Sequence, residues 1–113
     1  MSALDILTKA RELIADPARW TQGALARTTN RETVSPYDNS AICWCLVGAC
    51  SRASATDEAS DDFGPALAAL EDACVAAGGG ASIPSFNDQP GRTHAQVLAV
   101  LDAATESLKG PRP

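Results

Sequence analysis

Ile42-Cys43-Trp44-Cys45-Leu46-Val47-Gly48-Ala49-Cys50 is the stretch on which the fold turns. At 100° per residue its apolar side chains point in nearly every direction, the pattern of a helix with no solvent face. The reading is a buried central helix over these residues. The loop before it, Ser35-Pro36-Tyr37-Asp38-Asn39-Ser40, offers Asp38, Asn39 or Ser40 as acceptors for the helix's free amides. Gly48, a residue without a Cβ, implies close approach by another helix or by the Trp20 ring.

Outward from this core, Leu4, Ile6, Leu7, Ala10, Leu13 and Ile14 recur at helical spacing as far as Asp16-Pro17, where proline restricts its predecessor. A first helix over about 3–15 follows. Between it and the central run, Gly23-Ala24-Leu25-Ala26-Arg27, the polar turn Thr28-Thr29-Asn30-Arg31-Glu32 and Thr33-Val34 fit a short β-hairpin. Residues 54–62 read as a mobile linker carrying Asp57, Glu58, Asp61 and Asp62. Phe63, Leu67, Leu70 and Cys74 then define a third helix to about Ala77, stopped by Gly78-Gly79-Gly80. Ile83-Pro84-Ser85-Phe86 reads as short and extended, and Asn87-Asp88-Gln89-Pro90-Gly91 as a turn. Thr93 with Gln96 forms a capping box opening a last helix, whose face is Val97, Leu98, Leu101, Ala104 and Leu108 and which stops at Gly110-Pro111. The expected fold is therefore mainly α, a compact single domain of about four helices over 1–110 with a hairpin after the first, and a frayed tail at 111–113.

Composition agrees with one domain. The chain has 113 residues, 45% hydrophobic and only 4% aromatic. Its 22 alanines leave about 25 large apolar side chains, so the helices must pack closely. A net charge of −5 without a basic stripe argues against nucleic acid, whose binding rests on phosphate neutralisation. No apolar stretch reaches the roughly 18 residues that span a bilayer, and Asp5 stands where a signal peptide would be basic. A cytoplasmic location is the expectation, with the four cysteines reduced and mostly buried, Cys45 and Cys74 facing the core.

Two segments, Cys43-Trp44-Cys45-Leu46-Val47-Gly48-Ala49 and Phe86-Asn87-Asp88-Gln89-Pro90-Gly91-Arg92-Thr93-His94-Ala95-Gln96-Val97-Leu98, resemble a family of small bacterial and phage proteins. Its members carry a Trp-Cys-x-x-Gly-Ala helix and a Trp-Asn-Asp-x-Pro-Gly-Arg-Thr-His turn before a terminal helix. The likeness spans roughly 20–105. This chain departs from it in Phe86, in place of tryptophan, and in Cys43 and Cys50. The family has no assigned activity, so the resemblance implies fold boundaries and no chemistry.

Three constellations remain to weigh. A metal site from Cys43, Cys45, Cys50, Cys74 and His94 meets an obstacle unless Cys43 lies before the first helical turn, because on one helix Cys43 and Cys45 diverge by about 160° and Cys43 and Cys50 are about 10 Å apart in rise. No metal and no cofactor is expected. A thiol hydrolase or transferase would use Cys43 or Cys45 as nucleophile, His94 as base and Asn87 or Asp88 to orient the ring. Against it, His94 shares a helix face with Val97, Leu98 and Leu101, where a satisfied histidine is the commoner finding. The third reading takes Asn87, Asp88, Arg92, Thr93 and His94 as a binding site in which the free helix amides and Arg92 receive an anion or a partner's carboxylate. The plain alternative is that Asn87 and Asp88 cap their own backbone and Arg92 pairs with Asp88. The function this favours is a non-enzymatic binding or regulatory module for a protein or small anionic ligand, with the cysteine enzyme as alternative.

Overall fold

The apolar run 42–50 divides into two elements. In a computed structural model, which describes residues 2–54, 62–78 and 82–109, Cys43–Trp44 is a strand and the helix begins only at Leu46. The single helix expected over 42–50 is thus corrected. A short all-apolar run satisfies a doubly buried strand as well as a buried helix, so periodicity could not separate them.

The elements are α1 (Ala3–Leu13), a 3-10 turn (Pro17–Arg19), β1 (Ala26–Arg27), β2 (Thr33–Val34), β3 (Cys43–Trp44), α2 (Leu46–Ser54), α3 (Phe63–Ala76), α4 (Ile83–Asp88) and α5 (His94–Leu108). The three strands form an antiparallel sheet in the order β2-β1-β3, with Ala26 opposite both Val34 and Trp44. The hairpin expected between the first helix and the central run is β1-β2. Its turn closes through the Thr28 amide donating to the Glu32 carbonyl, with Arg31 in the left-handed region at φ 68°. Asp38 does not cap α2; its carboxylate accepts from the Ser40 amide and hydroxyl within its own loop. That loop is pinned by its Pro36 carbonyl, which accepts from Trp44 Nε1 and from Arg52.

Helices α1 and α5 open with the capping boxes Ser2/Asp5 and Thr93/Gln96, the second as expected from sequence. Helix α1 packs on α2 and α5 and buries Ile6, Leu7 and Ala10, with Ile14 buried just beyond its end, while α3, burying Leu70 and Cys74, packs on α5, which buries Val97, Leu101 and Ala104. Alanines at 10, 49, 53, 66 and 104 lie in this core, consistent with close helix packing. Gly78 ends α3 at φ 79°.

Residues 83–86 are helical rather than extended. Ser82 caps the Ser85 amide, Pro84 sits in the first turn where no amide is needed, and Ile83 and Phe86 turn inward. The fold is mainly α with a short hairpin, as expected: four longer helices, α1, α2, α3 and α5, with the six-residue α4 added to them among the described residues. Most of the acidic linker and the tail at 111–113 lie outside the described residues.

Candidate functional site

Asn87, at the end of α4, is 1% exposed, and its amide is used on both sides. Its Oδ1 accepts from Trp20 Nε1 at 2.8 Å and from the Leu46 amide at 3.1 Å, which is the first orphan donor of α2. Its Nδ2 donates to the Thr21 carbonyl and to Asp88 Oδ1. The same Asp88 oxygen accepts from the Gly23 amide at 2.9 Å. Gln22 completes the clasp, its Nε2 donating to the carbonyls of Asn87 and Gln89. The 20–23 segment, the start of α2 and the end of α4 are thus joined by one small set of side chains.

Cys45 caps α2 at the same place. Its Sγ accepts from the Gly48 amide at 3.3 Å, while its own amide donates to the Leu25 carbonyl. Burial pushes the Cys45 thiol up from its usual range, opposed by the Gly48 and Val47 amides, so it stays protonated at neutral pH. Cys43 donates to the Arg27 carbonyl and accepts from Arg31, both at 3.8 Å. Cys50 and Cys74 are fully buried in the core, which pushes their thiols up to about 12 and about 11. All four are free and buried, as expected; Cys50 and Cys74 belong to the main core cluster, and Cys45 is buried beside the start of α2. Among the described residues no three His, Cys, Asp or Glu side chains converge as metal ligands.

His94 stands at the first position of α5 and reaches the other end of the molecule's N-terminal helix. Its Nε2 lies 2.7 Å from the Ile14 carbonyl, so that nitrogen carries the proton and donates. The ring tilts against Trp20 with centroids 6.2 Å apart. Its hydrogen bond thus goes to Ile14 and none joins it to a thiol. Arg92 lies over the Phe86 ring at 3.7 Å and donates to the Phe86 carbonyl, to Gln89 and to Gln96.

Beside Asp88 the surface opens into an apolar groove with two halves. One, of about 230 Å³, is lined by Gly23, Ala24, Leu25, Cys45, Val47, Pro84 and Asp88. The other, of about 440 Å³, is lined by residues of α2, α3 and α4 that include Leu67, Ala68, Glu71 and Ile83. Val47 and Pro84 line both halves, which adjoin at these two residues.

A family model, that of the DUF6197 family of unknown function, matches residues 1–107. The chain belongs to this family. No curated protein and no solved structure matches it.

Within this DUF6197 chain, the five residues singled out as a binding segment are neighbours, but each has an intramolecular bond. Asn87 and Asp88 do not cap their own turn; they bind the distant 20–23 segment and, through Asn87, α2. Arg92 does not pair with Asp88, because the Phe86 carbonyl and two glutamines take its donors. Thr93 caps α5. Of the enzyme constellation, Asn87 approaches the start of α2 next to Cys45, while His94 is directed to α1. Gln22, Gly23 and the groove residues Leu25, Val47, Glu71 and Pro84 went unread. Only Pro84, two residues after the cap former Ser82, carries a local signal of a helix start.

Proposed function

We propose that the chain is a non-enzymatic binding module that takes up a segment of a protein partner in the groove across Val47 and Pro84. The observation that carries this reading is that two apolar hollows adjoin at those two residues, since concave apolar surfaces with few polar groups are the usual ligand sites. Asp88 is the member of the 87–94 segment that we assign to the partner; Asn87, Arg92, Thr93 and His94 hold it in place. The cysteine enzyme is less well supported, because the imidazole donates to Ile14 and burial keeps the Cys45 thiol protonated. Four free buried thiols fit work in a reducing compartment such as the cytoplasm.

Panning a displayed random-peptide library on the folded chain and on its Val47→Glu variant tests the reading. Enriched peptides that bind the parent chain and lose at least tenfold in affinity for the variant support it. An absence of enrichment, or peptides indifferent to the variant, overturns it. Far-UV circular dichroism of the variant separates a blocked groove from a lost fold.

A further inference from the structure

Resting on that reading, we infer that the segment the groove takes carries basic side chains on both sides of an apolar centre. Among the described residues the ionisable side chains lining the groove are the Cys45 thiol, neutral by burial, and two carboxylates, Asp88 in one half and Glu71 in the other. Between them lie Val47 and Pro84, which offer no charge and no side-chain hydrogen bond. Among the described residues no lysine or arginine lines either half, and Arg27, whose guanidinium lies close to Gly23, is engaged with the Gln22 and Arg31 carbonyls. An acidic or phosphorylated segment would therefore meet like charge at both ends, and a wholly apolar one would leave both carboxylates unmatched.

Asp88 is built to receive a cation. Both of its internal bonds, from the Gly23 amide and from Asn87 Nδ2, fall on Oδ1, so the carboxylate is held in one orientation while Oδ2 takes no bond from the described residues. A donor arriving there meets a carboxylate already ordered, which removes part of the entropic cost of binding. Glu71 is exposed on α3 and has no ion pair among the described residues. The chain's net charge of −5 adds a long-range attraction for basic segments and opposes a second copy of this chain as the occupant.

The probes are three capped peptides, Lys-Val-Leu-Val-Lys, Gln-Val-Leu-Val-Gln and Glu-Val-Leu-Val-Glu, titrated into the isotopically labelled chain and followed by amide chemical shifts. The expected result is that the lysine peptide binds at least tenfold more tightly than the glutamate peptide, with shifts centred on Gly23, Leu25, Val47 and Leu67. In the Asp88→Asn, Glu71→Gln double variant that preference falls below threefold, and in the parent chain it shrinks as salt is raised. Equal binding of the three peptides in the groove overturns the basic preference and leaves the groove as a binding site. Failure of the lysine peptide to bind also overturns the inference, and the library selection then decides separately whether the groove binds anything. Groove shifts that depend on protein concentration, with a dimer in sedimentation, would assign the groove to a second copy and overturn the inference as well.

Discussion

Asn87 uses both ends of one amide, and no other side chain of its size can. Truncation in Asn87→Ala leaves Trp20 Nε1 and the Leu46 amide without their acceptor and the Thr21 carbonyl without its donor. Each buried orphan costs about 1–3 kcal/mol, so a loss of roughly 3 kcal/mol in urea unfolding is expected, part of the orphan cost being relieved by water entering the gap. Asn87→Asp keeps the acceptor but turns the donor side into a second oxygen facing Asp88 Oδ1 and the Thr21 carbonyl. Burial and that like charge would raise the new acid's folded pKa above its unfolded value of about 3.9, so stability is highest below that value and is lost as pH rises through the folded pKa. Melting curves at pH 4 and pH 7 check the sign. At Gly48 the constraint is steric: a Cβ there would lie 2.0 Å from the Leu25 carbonyl oxygen, a backbone atom held by its bond from the Cys45 amide. Gly48→Ala should therefore cost about 3 kcal/mol, the upper end of ordinary overpacking, and an unchanged melting temperature would refute the close approach. The sequence pointed to a close approach at this glycine, but the neighbour is the chain entering β1 rather than a helix or Trp20.

Among the elements, the α4–α5 turn shows how a charged side chain can serve geometry. Arg92 spans Phe86, Gln89 and Gln96 with three separate nitrogen atoms, a fork that lysine cannot reproduce. Arg92→Lys and Arg92→Ala are both expected to lower stability, by about 1–3 kcal/mol for alanine given one charge-assisted bond to a backbone carbonyl and a guanidinium stacked on an aromatic ring. Lysine recovering full stability in denaturant titrations would show that charge alone suffices. Helix ends were the most legible part of the sequence: Thr93/Gln96 and Gly78 behave as their local chemistry dictates, because caps are decided within four residues. The hairpin was legible for the same reason. The 42–50 run was not, since whether Cys43–Trp44 is strand or helix depends on Ala26–Arg27, sixteen or more residues away. Nor did the spacing of Asn87, Asp88 and Arg92 disclose their partners, all but one set of which lie outside the turn. The groove was illegible because it is formed where three helices and a loop diverge, and no single segment encodes that shape.

For the whole molecule, α1 packs on α2 and α5, α3 on α5, and the sheet is tied to α4 through the 20–23 segment, so no part has a separate core. Unfolding should be a single transition, with the fluorescence of Trp20 and Trp44 and far-UV circular dichroism coinciding; two transitions would divide the chain into units. Alkali should act on the molecule as a unit too. Cys50 and Cys74 titrate near 12 and 11 when folded, against an ordinary value of 9.0. A raised folded pKa stabilises fully below the unfolded value and loses that contribution as pH climbs through the window from 9.0 to about 11–12. The melting temperature is expected to hold to pH 8.5 and then fall, less steeply in a variant with alanine at both positions; identical slopes would refute thiol linkage. The bonds of Asn87 reach back 41 to 67 residues, and contacts so distant in the chain close late, after the helices have formed and the loop entropy has been spent. Interactions absent from the folding transition state govern how fast a protein comes apart and leave the rate of assembly nearly untouched. Asn87 is then a determinant of native-state lifetime: substitutions there should steepen exposure to proteases and shorten residence in the folded form by orders of magnitude, while refolding after dilution from urea keeps its pace.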